Sequence, residues 1–475
     1  MGIIKFGTSG WRGIIAEDFT FTAVRALSQA IGEYIRARGA DVRERGVVIG
    51  YDTRFLSEAF GAQVARVLAA QGVKAFLCER DTPSPVVAYE ILRRRAAGGV
   101  VVAAGHNPPE YNGIKFSVAG GGAPPPEDTQ RIEERANALL GGPRVAEIPS
   151  SEAEARGLIE RINPRDAYLE HLQSLVNLET IREAPLKVVI DPLYGCAQGY
   201  LDTVLRDAGC DVRVLHNWRD PNFGGLAPEP SEARLQELAF QVVEASAHLG
   251  LATDGDGHRF GLVDADGTFI EPNYFLGLVL RHLVTVRGWT GDVGRSVATT
   301  HLLDAVARRL GIRIHETPVG FKHLGDLIAK DGLMLGGEES GGLAVTGHVP
   351  ERDGILACLL AAELVASRGR ARLHTLLQEL YADVGTFLTK RLNFHLPQGV
   401  MDALQERLKQ PPGSVAGLAV IDVNRLDGVK MILEDGSWLL FRLSGTEPMV
   451  RLYVEAATQE RLKRLATAGE AFIGR

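Results

Sequence analysis

Two aspartates and a histidine alternate in the segment TDGDGHRFGLVDADG, residues 253–267. Asp254, Asp256 and His258 stand at i, i+2 and i+4, and the glycines between them let the loop curl so that all three side chains point inward. A short loop of this kind can ligate a small divalent cation. It is not an EF-hand, whose sixth position would be Arg259 where glycine is required and whose twelfth would be Ala265 where glutamate is required. Imidazole nitrogen is a softer donor than carboxylate oxygen. The mixed set therefore leans from Mg²⁺ towards Zn²⁺, Mn²⁺, Co²⁺ or Ni²⁺, or towards no metal at all. The simpler alternative is an Asp-Gly turn ahead of a strand. Arg259, directly behind the three candidates, can hold an anion that a metal also touches.

Three further stretches carry chemistry. In FRLSGTEPMVRLY, residues 441–453, Arg442, Ser444, Thr446 and Arg451 surround Gly445. Hydroxyls, backbone amides and two guanidiniums suit a phosphate dianion; a hairpin turn with incidental arginines is the plainer alternative. In GGEESGG, residues 336–342, the carboxylates of Glu338 and Glu339 and the hydroxyl of Ser340 suit the vicinal hydroxyls of a sugar, although a flexible acidic loop reads the same way. VVVAAGHNPPEYNGIKFS, residues 100–117, runs from an apolar strand into a loop with His106, Asn107, Asn112, Gly113 and Lys115. No Ser, Thr or Cys lies between Pro85 and Phe116. Arg12 in GTSGWRG and Arg54 in GYDTR each add a guanidinium to a loop.

In this order the four elements resemble the α-D-phosphohexomutase family, which includes phosphoglucomutases and phosphomannomutases. One signature falls in each domain, so the resemblance spans essentially the whole chain. It implies four domains around a central cleft and the movement of phosphate between O1 and O6 of a hexose. A phosphoserine, Mg²⁺ and a hexose 1,6-bisphosphate intermediate that turns end for end belong to that reaction. In the family the first-domain loop reads like Thr-Ala-Ser-His-Asn-Pro followed by Asn-Gly-x-Lys. Here the serine aligns with Gly105 and the preceding threonine with Ala103, while His106, Asn107, Asn112, Gly113 and Lys115 match. The metal loop, three aspartates in the family, has His258 at its third ligand.

Carried over residue by residue, the resemblance places Arg12, Gly105, His106 and Lys115 at the catalytic positions. It gives Asp254, Asp256 and His258 to the metal, and Arg259, Gly320, Glu338 and Ser340 to the substrate. Arg442, Ser444, Gly445, Thr446 and Arg451 go to the distal phosphate. The ending Gly341-Gly342 resembles glucose-type members. Two functions remain open: a phosphoglucomutase-type enzyme, or a catalytically silent sensor of hexose phosphate or bisphosphate. A histidine can carry phosphate, but His106 leaves the loop at a different residue from the serine it would replace.

The elements that must position these residues are legible. Three segments repeat strand, helix, strand: GVVIGYDTRFLSEAFGAQVARVLAAQGVKAFLC, LKVVIDPLYGCAQGYLDTVLRDAGCDVRVLHN and GRSVATTHLLDAVARRLGIRIHET. Each helix should end at a glycine (Gly72, Gly209, Gly311) that feeds the next strand. Such units predict three α/β domains with parallel or mixed sheets. Connecting helices are expected over 164–178, 272–288 and 371–385. Beyond Gly385, strands joined by Asp427-Gly428 and Asp435-Gly436 hairpins predict a smaller α+β domain with an antiparallel sheet, followed by a terminal helix. The expected domains are 1–163, 164–288, 289–385 and 386–475, with a hinge near Gly385. AGGGAPPPED, 119–128, reads as a surface loop.

Composition agrees with a small-molecule protein. Lys and Arg number 52 against 59 Asp and Glu, a net charge of −7, which argues against a nucleic-acid binder with a broad basic face. The four cysteines are scattered and read as buried hydrophobes in a reducing compartment. Without a signal-like segment or an apolar run of about 18 residues, the expectation is a cytoplasmic protein with no membrane span.

Overall fold

The computed structural model describes residues 3–7, 10–143, 145–330, 332–443 and 449–474. The chain forms two compact units: Met1–Glu271 with Gly325–Asp331 and Ser340–Leu373, and Pro272–Leu324 with Gly332–Glu339 and His374–Arg475. Three α/β domains with mixed sheets are followed by a C-terminal domain with an antiparallel sheet.

The first unit holds two sheets. One has the order Trp11–Ile14, Tyr111–Val118, Gly98–Val102, Val47–Tyr51, Ala75–Cys78, Ile159–Ile162. Its middle strands are parallel, and Val47–Tyr51 and Gly98–Val102 are buried along their whole length, as central parallel strands require. Tyr111–Val118 runs antiparallel to Gly98–Val102, so the 103–110 loop turns the chain back at the C-terminal end of a parallel strand. In open α/β sheets that end is where ligands bind. The other sheet has the order Phe269–Ile270, Phe260–Asp264, Leu249–Thr253, Lys187–Asp191, Asp211–Val214. Residues 254–259 join its antiparallel pair Leu249–Thr253 and Phe260–Asp264. Behind this sheet lies the helix Gly354–Ser367, apolar on every side and almost wholly buried, with Asp353 Oδ1 accepting Leu356 N–H at its N-terminus (2.9 Å).

In the second unit, Val293–Ser296 pairs in parallel with Ile314–Thr317 and Leu335–Glu338. The C-terminal sheet runs Leu388–His395, Met449–Ala456, Trp438–Leu443, Val429–Leu433, Leu418–Asn424, Ser414–Val415, all antiparallel. Leu404, Leu408, Leu462 and Leu465 of the helices Gln398–Lys409 and Gln459–Ile473 cover one face. Trp438, Leu440 and Tyr453 on the other face pack against Val297 and Ala298. Fully buried Lys430 donates to Val297 O (2.9 Å) and contacts His301 Nε2 (2.8 Å), while Glu455 accepts from Trp438 Nε1 (2.7 Å) and from the Thr300 hydroxyl. These buried polar contacts join the C-terminal sheet to the 297–301 segment.

Gly72, Gly209 and Gly311 all take positive φ after their helices, and the three connecting helices form as Arg165–Leu175, Pro272–Thr285 and Leu373–Val384. One expectation changes. The predicted surface loop 119–128 ends at Pro125, because Pro126-Glu127-Asp128 opens the helix Pro126–Leu140 with proline at its first position and acids in its first turn. The cysteines are free and buried. No helix among the described residues is long and apolar enough to cross a membrane.

Candidate functional site

In the first unit the 103–110 loop is shaped by a residue outside it. The fully buried Arg54 side chain donates to the carbonyls of Pro108 (2.6 Å), Tyr111 (2.9 Å), Gly105 (2.8 Å) and Asn107 (2.7 Å), and pairs with Asp52 (3.1 Å). One planar guanidinium thus gathers four backbone acceptors. Asn112 Nδ2 donates to Ser57 Oγ (2.8 Å), which itself donates to Asp52 (2.7 Å). Gly113 must be glycine, since a Cβ there would lie 2.6 Å from Trp11 O and 2.7 Å from Ala103 O.

Arg12 sits opposite Gly113 on the antiparallel neighbour, and its Nη1 donates to Asn107 Oδ1 (2.6 Å). Burial, with the fields of Arg259, Arg352 and Arg54, lowers its pKa to about 10 against the opposing pull of Asp256, and its buried Nε has no hydrogen-bond partner among the described residues. Burial and the neighbouring Arg259, Arg12 and Arg352 push His106 well below the usual histidine range, so its imidazole is neutral at pH 7. Gly105 has φ +57, and a Cβ there would stand 3.5 Å from Asp256 Oδ1, 3.8 Å from Asp256 Oδ2 and 3.9 Å from Arg12 Nη2.

The 254–259 loop meets this loop through Asp256. Lys115 Nζ bonds Asp256 Oδ2 and lies 3.2 Å from His258 Nδ1; Ser84 Oγ donates to the same Asp256 Oδ2 (3.0 Å), and His258 Nδ1 is 3.3 Å from it. Asp256 Oδ1 is buried without a hydrogen-bond partner among the described residues. Burial disfavours the Asp256 carboxylate, but Lys115 and His258 outweigh it and hold the group well below the usual range. Burial, then the charge of Asp256, raises Asp254 to about 6, and its Oδ1 accepts Arg259 N–H (3.0 Å). Arg259 Nη1 pairs with Glu229 (3.0 Å). Phe260 N–H donates to Gly341 O (3.2 Å), which brings the Ser340 segment beside Arg259.

The expected metal set does not converge. Among the described residues no group of three His, Cys, Asp or Glu side chains is arranged to hold a metal ion. The reason is Lys115. An ammonium only donates, so it engages both the Asp256 oxygen and the His258 nitrogen that a cation would need. The donor set as arranged does not fit a divalent ion, and Lys115 supplies the positive charge there.

In the second unit, Glu338 ends its strand buried and Oε1 accepts Gly320 N–H (2.8 Å). Arg442 and Arg451 are cross-strand partners. Arg442 Nε pairs with Asp427 (2.9 Å), whereas the buried Arg451 Nε has no hydrogen-bond partner among the described residues. Ser444, Gly445 and Thr446 lie outside the described residues.

Sequence reasoning overlooked Arg54 as a brace, Ser84 as a donor to Asp256, and the pair Glu351 and Arg352. Burial opposes ionisation of Glu351, yet His258, Arg352 and Lys115 lower its pKa. A dense charged run, HVPERDG, was the one signal for this pair.

Comparison with known proteins matches four family models in chain order. Phosphoglucomutase/phosphomannomutase alpha/beta/alpha domains I, II and III match residues 4–140, 166–267 and 271–384, and the C-terminal domain of the same family matches 398–469. A Methanopyrus kandleri protein assigned as a phosphoglucosamine mutase is 31% identical, over 97% of this chain and 95% of its own. A phosphoglucomutase/phosphomannomutase of Thermococcus kodakarensis is 30% identical, over 98% and 97%. A crystal structure assigned as a phosphomannomutase of Thermus thermophilus superposes with a TM-score of 0.86 at 33% identity, covering 100% of both chains. With the family matched from its first domain to its last, the chain belongs to the phosphoglucomutase/phosphomannomutase family of α-D-phosphohexomutases.

Proposed function

We propose that this chain binds hexose phosphates as a phosphoglucomutase-type member of its family, and that with glycine at position 105 it holds them without itself taking up phosphate. The observation that carries this reading is the ground around Gly105. A side chain there would face the Asp256 carboxylate and the Arg12 guanidinium with nothing among the described residues closer than 3.5 Å, yet glycine offers no atom to accept a phosphoryl group. Turnover in the family manner needs a tethered acceptor that cannot diffuse away. Recognition does not. Arg12, His106, Lys115 and Arg259 keep their side chains, as do Glu338, Ser340, Arg442 and Arg451.

The ligands of this reading are hexose 1-phosphate, hexose 6-phosphate and the 1,6-bisphosphate. The Gly341-Gly342 ending favours the glucose configuration, while relatives assigned as phosphoglucosamine mutases make the amino sugar the natural competitor. A neutral His106 and a buried Arg12 both donate hydrogen bonds to phosphate oxygens. In the family a divalent ion polarises the transferring phosphoryl group; in this chain Lys115 engages two of the ligands expected for it.

Calorimetry with glucose, glucosamine and mannose 6-phosphates tests recognition, and intact-mass measurement after incubation with glucose 1,6-bisphosphate tests covalent uptake. Binding of the glucose compound with unchanged protein mass is expected. Failure to bind any of the three removes the reading.

A second reading, turnover, is favoured by Ser84, whose buried hydroxyl lies 3.0 Å from Asp256 Oδ2. In that case the Ser84 Oγ–P bond forms as a sugar O–P bond of the bisphosphate breaks, Asp256 orients the hydroxyl, and the hydroxyl proton ends on the released sugar oxygen. A phosphopeptide carrying Ser84, with glucose 1-phosphate conversion that Ser84→Ala abolishes, would replace the silent reading.

A further inference from the structure

We propose that Asp427 is a positioning residue that holds the phosphate-binding Arg442 in register with the sugar-facing Glu338. This rests on the reading of Arg442 and Glu338 as ligand groups given above. The sequence presents Asp427 only as half of a hairpin signal, Asp427-Gly428. In the structure its side chain reaches beyond the hairpin. One oxygen, Asp427 Oδ2, accepts Arg442 Nε (2.9 Å) and Val319 N–H (3.0 Å). The next amide, Gly320 N–H, donates to Glu338 Oε1 (2.8 Å). Three hydrogen bonds therefore run from Arg442 through Asp427 and the Val319-Gly320 peptide to Glu338, all within the second unit.

Each link is held from outside. Gly428 has φ +92, and a Cβ there would lie 2.4 Å from Phe441 O and 3.2 Å from Arg442 Cα. The turn is thus pressed against the strand that bears Arg442, and only glycine allows that approach. Gly320 has φ +128, which fixes the peptide orientation where a larger residue would be strained. Glu338 is 3% exposed, so its carboxylate has little room to move. Asp427 meets Arg442 at Nε, not at the two terminal nitrogens whose fork suits phosphate oxygens. A ligand that presents a phosphate to Arg442 and sugar hydroxyls to Glu338 needs a set spacing between them. Asp427 is the side chain that bridges the elements carrying the two.

The test is a double-mutant cycle read by calorimetry with glucose 1,6-bisphosphate. Asp427→Ala should weaken binding about tenfold, the scale of a lost charge-assisted hydrogen bond. With Asp427 present, Arg442→Ala and Glu338→Gln together should lose less than the product of their separate losses. In the Asp427→Ala background the two losses should simply multiply. Asp427→Asn keeps an acceptor for Val319 but no charge for Arg442. It should retain the thermal midpoint while losing the coupling, and it carries the test if the alanine variant does not fold. Unchanged affinity in Asp427→Ala, or losses that multiply in both backgrounds, overturns the proposal. Arg442→Ala with undiminished affinity refutes instead the phosphate-binding reading on which it rests.

Discussion

Arg442 and Arg451 stand directly opposite each other on adjacent antiparallel strands, Trp438–Leu443 and Met449–Ala456. Directly opposed residues share a face of the sheet, and like charges there destabilise it. Asp427 offsets one guanidinium; an arriving phosphate would offset the pair. Arg442→Ala should therefore weaken glucose 6-phosphate binding by about 1.5–3 kcal/mol, while the ligand-free thermal midpoint stays close to that of the parent. Calorimetry and thermal unfolding check the two halves. An affinity untouched by the substitution refutes the assignment.

What could be read from the sequence, and what could not, divides by the range of the interaction. The strand–helix–strand repeats and the Asp-Gly hairpins are local patterns, so Gly311 at a helix end and Gly436 in a turn appear where periodicity and turn chemistry put them. The loop residues, the departure at Gly105 as much as the match at Lys115, are likewise legible as linear motifs. Side-chain partnerships are not. Arg54 lies 51 residues from Gly105 and Lys115 lies 141 from Asp256, distances in sequence that no local rule bridges. The same limit explains the metal loop. Its i, i+2, i+4 spacing is correct as a pattern, but Lys115 enters from another strand and alters what the pattern can hold.

Arg54 supplies the clearest stability prediction. Its loss leaves four loop carbonyls without this donor and the buried Asp52 carboxylate without its countercharge. Breaking a buried pair from one side costs about 3–5 kcal/mol. Arg54→Ala should reduce the unfolding free energy by that order in urea titrations, and Arg54→Lys should recover only part, since an ammonium lacks the fork. A loss below that of an ordinary surface substitution would show that the loop braces itself.

Lys430 makes a pH prediction with a definite sign. Burial, then the field of Arg295, pushes its pKa from 10.5 down to about 7 in the folded protein. Between those values the unfolded chain binds a proton that the folded chain does not, so stability rises with pH. The slope is at most about 1.4 kcal/mol per pH unit, and the contribution flattens below the folded value. Other groups titrate in the same range, so the readout is the difference between the parent and Lys430→Met. From pH 7 to pH 9 the parent should gain unfolding free energy relative to the variant. Parallel curves would place the Lys430 charge outside the folding equilibrium.

At the 254–259 loop, Lys115 and the imidazole of His258 both work against a hard dication. His258→Asp replaces a soft nitrogen with a hard oxygen and adds one negative charge beside Lys115. Mg²⁺ affinity should then rise by roughly tenfold or more over the unaltered loop, which with Lys115 on Asp256 and His258 should hold neither Mg²⁺ nor Zn²⁺ tightly. Titration calorimetry with both ions, on protein first dialysed against chelator, measures this. Equal Mg²⁺ affinities in parent and variant would remove His258 from the question.

The last prediction concerns residue 105. Serine there must adopt φ near +57, a left-handed conformation that costs about 1–2 kcal/mol for an L-residue, so Gly105→Ser should lower the thermal midpoint slightly. The space exists, since a Cβ would touch nothing closer than Asp256 Oδ1 at 3.5 Å. That oxygen is buried without a partner among the described residues, and a serine hydroxyl would be within reach to donate to it. Incubated with glucose 1,6-bisphosphate, the variant should gain the mass of one phosphoryl group at residue 105, where the parent gains none. Arg12, whose Nη2 would stand 3.9 Å from a Cβ at residue 105, is placed to meet the new phosphate. Turnover should return only in part while His258 remains, and Gly105→Ser with His258→Asp should exceed either single variant in a coupled glucose 1-phosphate assay. The order of these gains discriminates. If the double variant binds hexose phosphate yet never acquires phosphate, the loss of chemistry lies in the arrangement of the loops and not in two side chains. If the parent itself is phosphorylated, the acceptor is elsewhere, and Ser84 is the first position to examine.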